Sequence, residues 1–118
     1  MNNLFLKGLE GCVNLEELSL DDNCISRIEG ISRLARLRML SLGHNYIFNI
    51  DKEHLNHKNN LEYLCLENNF ISSLSGLREL TGLNELYISN NRIDSVREVF
   101  YLKVSQRMSF VQVISSVA

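Results

Sequence analysis

Hydrophobic and polar residues follow one order of positions in four short segments of the chain. The segments begin at Leu15, Leu37, Leu61 and Leu83, so successive starts lie 22, 24 and 22 residues apart. Each segment reads L-x-x-L-x-L-x-x-N-x-I, with Ile88 at the third leucine of the last one. Leucines two positions apart point to one face of a strand. Each segment therefore predicts a short strand with one buried face.

The residues after each strand predict a turn and then helical structure. An asparagine closes each strand, and its side-chain amide can bond backbone groups that a turn leaves unpaired. Apolar residues then recur at every third position, for example Ile28, Ile31 and Leu34, which suits one face of a tight helix. We assign a structural role to the four asparagines, which are Asn23, Asn45, Asn69 and Asn91.

The second unit departs from this spacing. After Ile50 it contains DKEHLNHKNN, which is two residues longer than the equivalent segments and lacks the glycine found at Gly30 and Gly76. We expect either a bulged convex loop or a slightly longer helix there.

Repeated strand, turn and helix units predict a right-handed α/β solenoid. We expect a short parallel sheet on its concave face and short helices on its convex face. No single unit can bury its own leucines, so neighbouring units share one core. Four strands are predicted, and the alternation of Phe110, Gln112 and Ile114 leaves open a fifth edge strand or a ragged tail.

We place a leucine-rich domain at residues 1–104 and an irregular tail at residues 105–118. The domain begins with a partial repeat at residues 1–14, followed by the four full repeats. Ser105 stands where a core leucine belongs. Because end units expose apolar faces unless they are capped, we expect a fragment of a longer array or self-association through open repeat ends.

The unit L-x-x-L-x-L-x-x-N-x-I-x-x-I-x-G-L resembles the intracellular, 22-residue type of leucine-rich repeat found in the protein phosphatase-1 regulatory subunit. The resemblance covers about residues 7–93. It implies a non-enzymatic binding scaffold, because members of this type have that role. It also implies a link to cilia or axonemes, where several members are found.

Composition narrows the functional classes. The 118 residues are 45% hydrophobic and 22% charged with a net charge of −2, which favours a folded domain and gives no reason to expect direct nucleic-acid binding. No apolar run approaches the roughly 20 residues that span a bilayer. With no secretory signal pattern, we expect a cytoplasmic location in which Cys12, Cys24 and Cys65 are free thiols.

The strand residues between the leucines predict a binding surface on the concave face. Five acids and no lysine or arginine occupy these positions and the turn that follows, so the surface favours a basic partner. Tyrosine and methionine add apolar area of the kind enriched at binding hot spots. The predicted partner-binding residues are Glu17, Ser19, Asp21, Met39, Ser41, His44, Tyr63, Cys65, Glu67, Glu85, Tyr87 and Ser89.

The sequence therefore predicts a protein–protein interaction scaffold that binds a basic or mixed protein surface or peptide. The alternative is a structural spacer within a longer array, with no partner of its own. A third hypothesis is a scaffold in a ribonucleoprotein particle that acts through protein contacts.

No catalytic, metal or cofactor site is predicted. His54 and His57 are three apart, but zinc needs three or four protein ligands and no cysteine is near in sequence. Asp21 and Asp22 lack the glycine and distal glutamate of a calcium loop. A nucleophile with an oriented base is also missing from the pattern.

Overall fold

The computed structural model describes residues 8–55, 58, 60–78, 80–93, 95, 97–98 and 110–112. Within these residues, five strands form one open parallel sheet in chain order. This arrangement confirms the predicted solenoid. The strands are β1 (Glu17–Ser19), β2 (Met39–Ser41), β3 (Tyr63–Cys65), β4 (Glu85–Tyr87) and β5 (Phe110–Gln112).

The strands align so that equivalent positions of the repeat stand side by side. Leu18 pairs with Leu40, Leu40 with Leu64, and Leu64 with Leu86. The pairing continues past the strands, where the Leu42 amide donates to the Cys65 carbonyl at 2.9 Å. We number the coils from one to four, starting at Leu15, Leu37, Leu61 and Leu83.

The core is a continuous apolar spine shared by neighbouring coils. It contains the strand leucines and the isoleucines and leucines that follow them, and most are fully buried. The first coil is less covered than the third, since Leu18 is 9% exposed and Leu64 is 0% exposed. Leu9, Leu15 and Leu20 are only partly buried against the spine.

The convex segments make tight turns, as the three-residue apolar spacing predicts. The second and third coils each contain a short 3₁₀ helix, at Lys52–Leu55 and Ser75–Leu77. In the first coil, the Leu34 amide donates to the Ile31 carbonyl at 3.0 Å, which is a single turn of the same type. The longer segment of the second coil accommodates the helix at Lys52–Leu55.

The glycines Gly30 and Gly76 occupy the same repeat position but are needed for different reasons. Gly30 has φ of 87°, a left-handed angle that favours glycine. At Gly76 a Cβ atom would overlap the carbonyl oxygen of Ile50.

Lys58 occupies a core position that leucine fills in the first and third coils, at Leu34 and Leu80. The residue is 1% exposed, and its amine donates to the Ser32 carbonyl of the first coil at 3.1 Å. Burial lowers the pKa of the Lys58 amine. The sequence pattern did not predict this buried lysine.

The C-terminal segment contributes β5, which pairs in parallel with β4. Of the two possibilities left open for this region, the structure forms the edge strand. The other residues of the 105–118 tail and the first seven residues of the partial repeat lie outside the described residues. The domain boundary at residue 104 stays a prediction.

Candidate functional site: the concave face

Asparagine side chains hold the turns at the end of the strands. Asn69 donates from Nδ2 to the carbonyls of Leu42 at 3.0 Å, Leu66 at 3.1 Å and Glu67 at 3.2 Å. Its Oδ1 accepts the amide of Ile47 at 2.9 Å. Each of these bonds satisfies a backbone group that the turn would otherwise leave buried and unpaired.

The same arrangement recurs in the second and fourth coils. Asn45 accepts the Ile25 amide at 3.0 Å, and Asn91 accepts the Ile71 amide at 3.0 Å. Each asparagine therefore joins its own coil to the preceding one. This ladder fixes the spacing of the strands and hence the geometry of the concave face.

The residue before each asparagine adopts a left-handed backbone, with φ between 54° and 59°. These residues are Asp22, His44, Asn68 and Asn90. Asp, Asn and His are the non-glycine residues that tolerate this region best. His44, one of the predicted partner-binding residues, therefore lies in the turn, where its Nε2 is 3.0 Å from Nδ2 of Asn68. The recurrence of Asp, His and Asn at this position indicates a residue with a left-handed backbone, and this indication was not recognised from the sequence.

The strand register arranges the other predicted residues, together with Gly43, in three rows across the concave face. The first row is Glu17, Met39, Tyr63 and Glu85. The second row is Ser19, Ser41, Cys65 and Tyr87. The third row, just beyond the strands, is Asp21, Gly43, Glu67 and Ser89.

Carboxylates in the third row accept hydrogen bonds from the next coil. Asp21 Oδ1 accepts from Ser41 Oγ at 2.8 Å and from the Gly43 amide at 2.7 Å. Glu67 Oε2 accepts from Ser89 Oγ at 2.9 Å. These acids therefore take part in stacking the coils as well as giving the face its charge.

Two tyrosines form the largest aromatic feature of the concave face. The ring centroids of Tyr63 and Tyr87 are 5.1 Å apart, with the planes tilted by 41°. Tyr87 donates its hydroxyl hydrogen to Glu85 Oε1 at 2.8 Å. This hydrogen bond, with smaller contributions from burial and nearby charge, raises the pKa of Tyr87 to about 12. Burial is the main cause that raises the pKa of Tyr63.

Three of the predicted contact residues are largely covered by their neighbours. Ser41, Cys65 and Ser89 are buried, whereas Glu17 and Ser19 are exposed. Burial raises the pKa of the Cys65 thiol, which opposes formation of the reactive thiolate. The accessible surface is therefore the tyrosine pair and the surrounding carboxylates and polar groups.

Salt bridges border the concave face before the strands begin. Arg38 Nη1 lies 3.4 Å from Glu16 Oε1, and Arg38 Nε lies 3.5 Å from Glu62 Oε2. Hydrogen bonding to Glu16 is the main cause that raises the pKa of Arg38. All three side chains are about half exposed, so solvent screens these pairs.

No group of three metal-ligating side chains is found among the described residues. His54 Nε2 lies 4.0 Å from Glu29 Oε2, and His54 Nδ1 lies 3.7 Å from Asp51 Oδ2. His57 is outside the described residues. None of the helices in the described part of the chain has the length and apolarity needed to cross a membrane.

Comparison of sequences identifies relatives that share the repeat. The profile of the leucine rich repeat family matches residues 2–47 and 35–93. Dynein axonemal light chain 1 of Danio rerio is 46% identical over 43 residues, which are 36% of this chain and 22% of that protein. The protein of the same name from Rattus norvegicus is 46% identical over 43 residues, or 36% and 23%. The matches thus cover less than a quarter of either relative.

Solved structures share the fold. An internalin (inlF) of Listeria monocytogenes has a TM-score of 0.78 at 20% identity, over 95% of this chain and 36% of that one. Internalin C2 of the same organism has a TM-score of 0.77 at 25% identity, over 100% of this chain and 52% of that one. Leucine-rich repeats typically act as protein–protein interaction scaffolds without enzymatic activity. The family profile covers most of this chain, and the chain belongs to the leucine-rich repeat family.

Proposed function

We propose that the chain is a non-enzymatic scaffold that binds a basic or mixed protein surface or peptide through its concave face. The observation that carries this proposal is the Tyr63–Tyr87 pair, whose centroids are 5.1 Å apart and which lies among carboxylates. The three strand rows of the concave face contain four acids and no lysine or arginine over the described coils.

Preorganised aromatic rings favour binding. The bond from the Tyr87 hydroxyl to Glu85 holds one ring in place, and the other ring contacts it. Tyrosine provides a large contact area with few rotatable bonds, so its ordering on binding costs little conformational entropy. The pair therefore has the properties of a hot spot.

The surrounding carboxylates add selectivity for positive charge. Asp21 and Glu67 remain acceptors after bonding Ser41 and Ser89, because an ionised carboxylate has about four lone-pair sites. Glu17 is exposed and makes no hydrogen bond or ion pair to the described residues. A lysine or arginine of a partner can approach all three.

We further infer that the repeat is of the intracellular, 22-residue type. The sequence also resembles leucine-rich repeat-containing protein 9 over about residues 7–93. We also propose a cytoplasmic location at the cilium or axoneme, and the partial match to dynein axonemal light chain 1 supports the axonemal part of this proposal. In this proposal the chain has no cofactor and contacts neither nucleic acid nor membrane directly.

Affinity purification with the full chain tests the concave site. Proteins captured by the wild type are compared with those captured by Tyr63→Ala and Tyr87→Ala. Each tyrosine variant should weaken capture of a true partner about tenfold or more. Arg33→Ala, on the exposed convex side, is the matched control and should leave capture unchanged. A partner retained equally by all four proteins would exclude this surface.

A charge variant separates specific from non-specific capture. Glu17→Lys reverses one charge at a side chain that makes no bond to the described residues, so the fold should be unaffected. A basic partner should bind this variant more weakly than the wild type, and its capture by the wild type should fall as the salt concentration rises. Binding that is unchanged by the Glu17→Lys substitution and by added salt would contradict recognition of a basic surface.

One observation favours the alternative of a structural spacer. Asp21 and Glu67 accept hydrogen bonds between coils, which gives the acidic rows a role without a partner. A spacer would capture no protein at any salt concentration.

A further inference from the structure

A second surface lies on the side of the solenoid, where the chain leaves each turn. Here one residue stands between the asparagine and the next buried isoleucine of every coil. We call these four residues, Cys24, Tyr46, Phe70 and Arg92, the lateral row. Backbone hydrogen bonds between coils keep the row in register. The amide of Tyr46 donates to the Ile25 carbonyl at 2.8 Å, and the amide of Phe70 donates to the Ile47 carbonyl at 2.7 Å.

Two aromatic side chains in this row are stacked, and of these Tyr46 is exposed and Phe70 is half-buried. The rings of Tyr46 and Phe70 are nearly parallel, at 8°, with centroids 6.0 Å apart. Tyr46 is 54% exposed, and Phe48, two residues further along the same coil, is 57% exposed. They are the two most exposed large apolar residues among those that the structure describes. Adjacent exposed aromatic groups of this kind mark interaction sites rather than ordinary surface.

Positive charge lies at one end of this apolar surface. The Cζ atom of Arg92 is 4.9 Å from the centroid of the Phe70 ring, in a cation–π contact. No carboxylate of the described residues lies within 4.0 Å of the Arg92 guanidinium. A guanidinium that contacts an aromatic ring still presents N–H donors suited to bidentate bonding of a carboxylate.

The backbone segments that form this side carry positive charge, and the two carboxylates of the described residues that reach them, Asp51 and Glu98, bond the last residues of two segments, Asn49 at 3.3 Å and Ser73 at 3.2 Å. The described segments on this side are 24–27, 46–49, 70–73 and 92–93; they contain Arg27 and Arg92 and no aspartate or glutamate. Asp94 follows in the sequence but lies outside the described residues. The Tyr46 hydroxyl makes no hydrogen bond within the described ranges, so it can bond a partner.

We propose that the lateral row with Phe48 is a second docking surface, which takes a protein segment that has apolar side chains and a carboxylate. The carboxylate bonds Arg92, apolar side chains cover Phe70 and Phe48, and a polar group of the segment bonds the Tyr46 hydroxyl. This preference is opposite in charge to that of the concave face. The two surfaces therefore select partners of different charge.

Selection from a phage-displayed library of random peptides on the immobilised full chain tests the proposal. Enriched peptides should combine apolar residues with aspartate or glutamate. Phe48→Ser should weaken their binding about tenfold. Selection on Arg92→Glu should enrich basic peptides instead of acidic ones. Tyr63→Ala, on the concave face, is the matched control and should leave the binding of these peptides unchanged. Circular dichroism and thermal unfolding of each variant check that the fold is intact.

Several results would overturn the proposal. These are enrichment of no peptide, enrichment of basic peptides by the wild type, or binding of the selected peptides to Phe48→Ser and Arg92→Glu that is as tight as their binding to the wild type. Two further measurements examine other occupants of the surface. Sedimentation that shows self-association lost in Phe48→Ser would assign the surface to a second copy. Binding to phosphatidylcholine–phosphatidylserine vesicles that is lost in Phe48→Ser would assign it to a lipid surface.

Discussion

The first and third coils contain the same repeat, yet equivalent residues differ in their hydrogen bonds and in their burial. Asn69 in the third coil bonds three carbonyls and one amide, and two of these four groups belong to the second coil. Asn23 in the first coil bonds only the carbonyls of Leu20 and Asp21 within the described residues. The leucines differ in the same direction, because Leu18 is 9% exposed and Leu64 is fully buried.

This difference shows that the repeat is stabilised mainly by contacts between coils. A repeat position has its full set of partners only when another coil precedes it, which is the behaviour of a one-dimensional stack. The effect of a substitution should therefore depend on where in the stack the residue lies as well as on its type. The following variants test that dependence, from the largest expected effect to the smallest.

Asn69→Ala should lower the free energy of unfolding by about 3 kcal/mol, because it leaves several buried backbone groups unpaired. Asn23→Ala should lower it by only about 1 kcal/mol, since it removes bonds at a partly exposed turn. Urea unfolding of both variants measures the difference. Equal losses would contradict the comparison between the two coils.

Asp21 and Glu17 are both acids of the first coil, but only Asp21 bonds the second coil. Asp21→Ala should lower the free energy of unfolding by about 1–2 kcal/mol, because Ser41 and the Gly43 amide lose their acceptor. Glu17→Ala removes the same charge from an exposed side chain and should change stability by less than about 0.5 kcal/mol. A similar loss in both variants would show that charge, and not contact between coils, matters here.

Lys58→Met should raise the free energy of unfolding by about 1 kcal/mol at neutral pH. Methionine keeps the apolar stem and removes an amine that is buried where leucine stands in the neighbouring coils. Because burial lowers the pKa of this amine, the unfolded chain binds the proton more tightly than the folded chain.

The advantage of Lys58→Met should therefore be complete below the lowered pKa of the folded state. It should shrink as pH rises toward 10.5, the ordinary value. Unfolding measured at a series of pH values for both proteins tests the sign. An advantage that grows with pH would contradict it.

Among the substitutions that remove a contact between coils, Arg38→Ala should have the smallest effect, a slight loss of stability. Arg38, in the second coil, bonds Glu16 of the first coil and Glu62 of the third, but these side chains are half exposed. Thermal unfolding at low and high salt measures the contribution, and the small difference from wild type should vanish at high salt. A large, salt-independent loss would show that exposed contacts between coils matter as much as buried ones.

The sequence predicted what lies within one coil. The spacing of Leu18 and Leu20 gave the strand and its buried face, and the three-residue spacing of Ile28 and Ile31 gave the tight convex turns. These inferences succeed because strand and helix periods act over a few residues.

The sequence did not predict what depends on the neighbouring coil. The bonds from Asp21 to Ser41 and from Lys58 to Ser32 join residues 20 and 26 positions apart, and they follow from the strand register. The stacking of Tyr46 on Phe70 likewise becomes visible only when the coils are placed side by side. The repeat consensus predicted which positions face the concave side, but the residues there vary from coil to coil, so it did not predict the contacts that their side chains make.

Hydrogen exchange at the Ile47 amide tests most directly whether neighbouring coils satisfy one another's turns. This amide donates to the Asn69 side chain and to no backbone carbonyl among the described residues. It should exchange as slowly as the Leu42 amide, which bonds the carbonyl of Cys65. In a folded Asn69→Ala variant, exchange at Ile47 should accelerate far more than at Leu42. Rapid exchange at Ile47 in the wild type, or no selective change in the variant, would contradict the account.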